Sequence, residues 1–281
     1  MITSIDDTPR QTEPGANPNA MLARLARKYS FAATGPWRLI DGADGAGGNG
    51  ADGCLKLVPW WLCPGAELDR ASVPLFPWRS ERRFQELRAI VAQRTIDPVL
   101  MCRFACMTDG RPLDLSAILF REFDLLEWLA GRAMVSVYAS VNGATANVVV
   151  RLAGGVLGSV EVAATLPPGA RLEDRHELIA RRGVACDRTV DTQVAQSSVY
   201  VTTAAGVDRY TDTDDELFGL DEQQVALVRA GWDALRHPEQ HAAWRQRHAR
   251  LTRLVALALE SDRKQQCLAV EESLAAEGGV R

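Results

Sequence analysis

Apolar and polar residues alternate through the middle of the chain, which is typical of strands with one buried face. The turn signals Asn142-Gly143, Gly154-Gly155 and Ala205-Gly206 separate these stretches, together with a Pro-Pro-Gly run at 167–169. The pattern predicts a multi-stranded, largely antiparallel sheet. Its strand candidates are 134–141, 144–152, 156–165, 175–180, 183–186 and 197–202, with an earlier one at 99–106.

Helical spacing of apolar residues appears on both sides of these strands. Helices are predicted at 80–93, with Ser80 as N-cap, and at 116–129, ending before Gly131. A short amphipathic helix is predicted at 20–33, and two more at 221–235 and 238–261. We therefore expect an α+β fold in which a large, mostly antiparallel sheet has helices packed on one face.

The first 75 residues differ in composition from the rest. They contain a polar start and the Gly-rich run 41–53, so we expect an irregular, poorly ordered N-terminal segment at 1–75 and an α+β domain at 76–281. A dinucleotide loop needs a hydrophobic strand before its glycines and a helix after them. Residues 37–40 are too short for a core strand, and Pro59 interrupts a following helix, so the run favours a linker.

Composition narrows the classes of partner and compartment. The net charge of −4 gives no electrostatic reason to expect nucleic acid or an anionic membrane as partner. Six scattered cysteines lack metal-site spacing, and no apolar run reaches the roughly 20 residues of a membrane span. We expect a cytoplasmic protein with reduced thiols, without a metal site.

Arg82-Arg83-Phe84, within the helix predicted at 80–93, resembles the segment that follows the nucleotide-binding half in the glucose-fructose oxidoreductase, inositol dehydrogenase and MocA family. Further motifs resemble the C-terminal domain of that family. The stretch 121–139 (REFDLLEWLAGRAMVSVYA) is similar to its HxxDxxxWLxG segment, with Asp124 and Gly131 in place. Residues 154–161 and 173–183 resemble a strand pair and a hairpin of the same domain. The resemblance covers roughly residues 76–281.

The resemblance also shows what is missing. With Asp124 aligned on the last position of the family's DxxxHxxD motif, Arg121 takes the place of the acid-base histidine and Ala117 that of the first aspartate. No Lys-Pro dipeptide and no nucleotide-binding half are recognisable. Arginine stays protonated under all relevant conditions and cannot take a proton from a hydroxyl group. No catalytic residue and no cofactor are therefore assigned.

Residues that could contact a substrate are assigned by the resemblance and by residue type. They are Arg83, Arg121, Asp124, Arg175 and His176. Each also has a structural alternative: Arg121 as a solvated or ion-paired residue of a helix face, Arg83 and Arg175 in pairs with Asp124 or Asp174, and His176 as a hydrogen-bonded strand residue. His176 is also the one candidate to replace the missing base.

Three functions follow as hypotheses. The first is a noncatalytic partner or scaffold subunit, which forms homo-oligomers, or hetero-oligomers with a full-length paralogue, through the large sheet. The second is an NAD(P)-dependent sugar or inositol oxidoreductase that borrows its nucleotide domain from another chain. The third is a binding module for a sugar, a polyol or a sugar acid, in which the arginines would favour carboxylated ligands.

Overall fold

The computed structural model describes residues 17–28, 35–40, 53–64, 68–110, 113–170, 172–187, 198–203, 206–211, 220 and 222–270. Its helices are α1 (Pro18–Lys28), α2 (Arg82–Ala92), α3 (Leu115–Ala130), α4 (Glu222–Arg236) and α5 (His241–Lys264). The strands are β1 (Trp37–Leu39), β2 (Leu55–Val58), β3 (Ser72–Pro74), β4 (Val99–Met107), β5 (Met134–Asn142), β6 (Thr145–Leu152), β7 (Leu157–Ala163), β8 (Glu173–Ala180), β9 (Gly183–Cys186), β10 (Ser198–Thr203), β11 (Gly206–Thr211) and β12 (Leu268–Ala269).

A nine-stranded sheet forms the larger part of the fold. Its strand order is β11-β10-β9-β8-β4-β7-β6-β5-β12, and only the β4–β7 pair is parallel. Strand β6 shows why it has two different faces: Ala146, Val148 and Val150 are buried, whereas Val149 and Arg151 are exposed. The predicted α+β class with a large, mostly antiparallel sheet is confirmed.

Helix α3 lies at the centre of the core against the buried face of this sheet. Almost all its side chains are buried on every side, because the sheet covers one side while α2 and α5 cover others. The Asp114 side chain caps its start by accepting a hydrogen bond from Ala117 N at 2.8 Å. Its end at Gly131, where φ is +62°, is as predicted.

Helix α2 begins later than predicted. Ser80 is not its N-cap but the last residue of the 3-10 turn Pro77–Ser80, and Glu81 precedes the helix without a side-chain cap. The turn directs Trp78 and Arg79 toward the Asp124 carboxylate, so a tertiary contact replaces the local cap.

The N-terminal part contains a small parallel sheet that the sequence analysis did not predict. Strands β1, β2 and β3 pair in that order, with Trp37 opposite Leu55 and Leu57 opposite Val73. A separate apolar cluster joins this sheet to α1 and α4. Strands of three or four residues carry too little periodicity to recognise, and their parallel partners are distant in sequence. The proposed domain boundary at residue 75 stays a prediction.

None of the described helices is both long and apolar enough to span a membrane.

Tight packing at Gly158 gives a test of the α3–sheet contact. A Cβ atom there would lie 2.5 Å from Val150 Cγ2 and 3.0 Å from Leu126 Cδ2. We expect Gly158→Ala to lower the free energy of unfolding by about 1–3 kcal/mol through overpacking, measured by urea denaturation. Ser159→Ala, on the opposite face of the same strand, is the control and should have little effect. A Gly158→Ala protein as stable as the wild type would contradict the packing described.

Candidate functional site

Helix α3 carries four charged residues into the core. Arg121, Glu122, Asp124 and Glu127 are each at most 5% exposed. A charge buried to this degree requires partners, because the uncompensated charge would cost several kcal/mol. Side chains from neighbouring elements pair with these four residues and form two separate networks, one on each side of α3.

The first, here called the Asp174 network, joins α2, α3 and β8. Asp174 accepts two hydrogen bonds from Arg83, at 2.6 Å from Nη1 and 2.9 Å from Nη2. Arg121 donates hydrogen bonds to Asp174 and to Glu122, the next residue in the chain. Burial alone would raise the pKa of Asp174, but Arg83 and Arg121 outweigh it and hold that pKa well below its usual range. The members of the network are Glu81, Arg83, Arg121, Glu122, Asp174, His176 and Asp187.

His176 lies fully buried at the centre of this network. Its Nδ1 is 2.6 Å from Asp187 Oδ2, and its Nε2 is 2.9 Å from Glu122 Oε2. Burial disfavours the charged ring, but these two carboxylates outweigh it and raise the pKa of His176 to about 10. At neutral pH the ring is therefore an imidazolium that donates from both nitrogens. Such a ring has no lone pair with which to accept a proton.

The second, here called the Asp124 network, joins α3 to α5 and to the turn before α2. Asp124 accepts from Trp78 Nε1 at 2.7 Å, Arg79 Nε at 2.8 Å and Arg247 Nε at 2.6 Å. Burial alone would raise the pKa of Asp124, but the neighbouring arginines outweigh burial and lower this pKa to about 2. Glu127 completes the network by accepting from Arg247, from Arg250 Nε at 3.1 Å and from the Met134 amide at 2.6 Å.

The five residues predicted to contact a substrate do not converge on one pocket. Arg83, Arg121 and His176 meet in the Asp174 network, and Asp124 belongs to the other network. Arg175 lies on the opposite face of the sheet, where its side chain is 38% exposed and pairs with Glu177. Arg83 pairs with Asp174, one of the two structural partners considered for it. A role of these residues in binding stays a prediction.

The sequence analysis named Asp174 and His176 but not their inward direction, which their shared strand parity with the buried Leu178 could have indicated. Other partners in the two networks were missed. Glu122 and Glu127 stand in an otherwise apolar helix, which is also a usable signal. Asp187, Arg247 and Arg250 give no such signal, because their partners are distant in the sequence.

One group within the described residues has the donor atoms of a metal site. Ligand atoms of Asp174, His176 and Asp187 lie within 4.8 Å of one another. However, both nitrogens of His176 are already bound to carboxylates, and Arg83 and Arg121 bring positive charge to Asp174. The arrangement fits a closed ion-pair network better than a cation.

The carboxyl ends of the small parallel sheet are where an α/β fold would hold a dinucleotide. Here Trp60 follows β2, and Phe76 and Trp78 follow β3; all three are buried. Trp78 makes edge contacts at 5.3 Å with Trp60 and 5.7 Å with Phe76. The described strands run in the order β1-β2-β3, and buried aromatic rings lie where β2 and β3 end. The Gly-rich residues 41–52, which follow β1, lie outside the described ones, so the expected lack of a dinucleotide site stays a prediction.

The raised pKa of His176 predicts a specific dependence of stability on pH. Because its pKa of about 10 exceeds the unfolded value of about 6.5, the stabilisation is complete below pH ~6.5 and is lost as the pH rises toward 10. In this range the free energy of unfolding, measured with urea, should fall by at most about 1.4 kcal/mol per pH unit. His176→Gln should remove this dependence on pH. His237→Gln, at the surface, should keep it. Equal slopes in wild type and His176→Gln would refute the assignment.

The Asp124 network predicts a large loss of stability when its central carboxylate is removed. Asp124→Asn should lower the free energy of unfolding by about 3–5 kcal/mol, because three donors lose a charged acceptor inside the core. Chemical denaturation measures it, with the exposed Asp233→Asn as the control. A loss below about 1 kcal/mol would show that the pairing contributes no more than a surface ion pair.

Comparison with known proteins gives similarity in structure only. No protein-family model and no curated protein matches the chain. Levoglucosan dehydrogenase, solved with NADH and levoglucosan, aligns over 92% of this chain and 88% of its own, with a TM-score of 0.65 and 14% identity. An oxidoreductase from Pseudomonas syringae aligns over 78% and 73%, with a TM-score of 0.61 and 13% identity.

A third structure, from Sinorhizobium meliloti 1021 and assigned as a myo-inositol dehydrogenase, aligns over 78% of this chain and 74% of its own. Its TM-score is 0.56 and its identity 16%. At identities this low, the structural alignments show a common fold and nothing finer. They confirm, for the fold, the resemblance seen in the sequence. The chain has the fold of the glucose-fructose oxidoreductase, inositol dehydrogenase and MocA oxidoreductases.

Proposed function

We propose that this protein is a noncatalytic member of that fold group and acts as a partner or scaffold subunit. Its structural neighbours are sugar and polyol oxidoreductases. The observation that carries the proposal is the state of Arg121, which the resemblance aligns with the acid-base histidine of the family. It is 3% exposed and is held between the carboxylates of Glu122 and Asp174.

Oxidation of an alcohol by hydride transfer needs a group that takes up the hydroxyl proton. Arg121 cannot do so, because a guanidinium between two carboxylates keeps its proton; its pKa lies above the usual range despite burial. His176 is the nearest imidazole, and it is already protonated and donates from both nitrogens. Lys56, buried on β2, pairs with Asp69 at 3.0 Å. None of these groups is available as a base.

The aromatic filling beyond β2 and β3 supports the same proposal. Trp60 and Trp78 occupy the edge where a cofactor would approach, and Phe76 stacks on Phe120 of α3 with ring centroids 6.2 Å apart. Each buried aromatic ring removes roughly 150–250 Å² from water, so opening this edge for a ligand would be unfavourable.

The outward face of the nine-stranded sheet supports a role in association. Tyr138, Val149 and Leu157 are 39%, 49% and 43% exposed, and Tyr138 lies directly opposite Val149 on the neighbouring strand. Large apolar side chains that share an open sheet face favour contact with another protein. We propose that a second copy, or a full-length paralogue, covers this face.

An activity and binding experiment tests the noncatalytic part of the proposal. Purified protein is titrated with NAD(H) and NADP(H) to millimolar concentration by tryptophan fluorescence and thermal shift. It is then assayed with myo-inositol, glucose and levoglucosan, alone and with a paralogue. We expect no saturable response to nucleotide and no turnover by the protein alone.

Saturable nucleotide binding with turnover would instead support the oxidoreductase hypothesis. Turnover that requires this chain together with a paralogue, and that survives Arg121→Gln, would support a scaffold role within an active complex. Arg83 and Arg121 already donate to carboxylates, so the sugar-acid module gains no support from their arrangement.

The proposed association through the outward sheet face is tested by introducing negative charge there. We expect Tyr138→Glu combined with Val149→Glu to shift the species measured by light scattering from oligomer to monomer without loss of the folded state. Ala242→Glu combined with Gln246→Glu, exposed on α5, is the matched control and should leave the oligomer intact. A wild-type protein that is a strict monomer, alone and with the paralogue, would overturn this part.

A further inference from the structure

The Asp124 network and its surroundings contain more positive than negative charge. The guanidinium groups of Arg79, Arg247 and Arg250 pair with the carboxylates of Asp124 and Glu127. A fourth guanidinium, that of Arg88, interacts electrostatically with Arg79 and Asp124 without an ion pair. Within the part of the chain that the structure describes, none of the four arginines forms an ion pair with any other acid. The neighbourhood therefore has an excess of two positive charges.

Arg88 carries one of these uncompensated charges at a partly buried position. Its Cζ lies 4.6 Å from the centroid of the Trp128 ring, and it donates no hydrogen bond to a described side chain or carbonyl. Partial burial and the neighbouring Arg79 lower the pKa of Arg88, and the carboxylate of Asp124 offsets this only in part. The protein thus holds a cation where its charge is disfavoured, and a bound anion would relieve that condition.

Arg79 adds a second donor beside the same ring. Its Cζ lies 5.7 Å from the Trp128 centroid and 4.7 Å from that of Phe76. Asp124 uses its Nε and Nη2, so Nη1 has no hydrogen-bond acceptor among the described residues, and the side chain is 24% exposed. Asp124 fixes Arg79 in place, and the Trp128 ring orients Arg88.

We propose that Arg79, Arg88 and Trp128 form a binding site for a small oxyanion, a carboxylate or phosphate group of a small molecule. A guanidinium fork matches two oxygens of either group, and the fixed arginine and indole reduce the entropy lost on binding. The site lies apart from the Asp174 network and from the outward sheet face. It does not depend on whether the protein is catalytic.

The test uses the full-length protein at constant ionic strength maintained with chloride. Inorganic phosphate and malonate are titrated separately, while NMR follows the indole N–H of Trp128 and the guanidinium N–H groups, and thermal shift follows stability. We expect a saturable shift of the Trp128 signal with at least one probe. The probe that binds more tightly identifies the phosphate or the carboxylate as the preferred group.

Matched variants assign the response to Arg88. Arg88→Gln should weaken binding at least tenfold, and Arg88→Lys should weaken it less, because charge remains but the fork is lost. Arg82→Gln, exposed on the same helix, should bind as the wild type does. A linear response to both probes, or equal weakening by Arg82→Gln and Arg88→Gln, would overturn the proposal, since it would indicate charge screening only. Circular dichroism confirms that each variant is folded.

Discussion

The fold depends on the pairing of charges that α3 carries into the core. Arg121, Glu122, Asp124 and Glu127 are all nearly inaccessible, so each needs a partner from another element. Those partners fix the neighbours of the helix. Strand β8 must present Asp174 and His176 inward, because a one-residue slip would bury Arg175 and Glu177 instead and leave Arg121 without its acceptor. Helix α5 must likewise place Arg247 and Arg250 against Glu127.

The same pairing supports the proposal that the protein is noncatalytic. An active site keeps its acid-base group near a pKa suited to proton exchange and leaves it accessible to substrate. Here the nearest imidazole lies between two carboxylates, which raise its pKa to about 10 and occupy both nitrogens. What stabilises His176 in the core also prevents it from accepting a proton. Stability and catalysis are thus opposed at this position, in keeping with a structural role.

The sequence predicted the elements with a clear period and a local end signal. Strands β5 to β7 follow from alternation, and α3 follows from its apolar faces together with Gly131. The small parallel sheet could not be recognised, because Trp37–Leu39 is too short to show an alternating pattern. Its parallel partner, Leu55–Val58, is also separated from it by a long connection. The site was predicted only in part. Arg83 and Arg121 were found from a resemblance, whereas Asp187, Arg247 and Arg250 depend on contacts that only the folded chain creates.

The two networks differ in their balance of charge, and this difference separates their roles. In the Asp174 network, Arg83, Arg121 and the protonated His176 face Glu122, Asp174 and Asp187. Glu81 adds a fourth carboxylate, which pairs with Arg83 Nε at 2.7 Å, so this network has no excess of positive charge. In the Asp124 network two carboxylates face three arginines, and Arg88 adds a fourth at the half-buried edge. The closed Asp174 network holds Arg121 in fixed ion pairs and leaves no cation for an anion from solution. An open, positive one leaves charge that an anion from solution can neutralise, so ligand recognition by this protein is expected beside Trp128 rather than at the position that the fold would suggest.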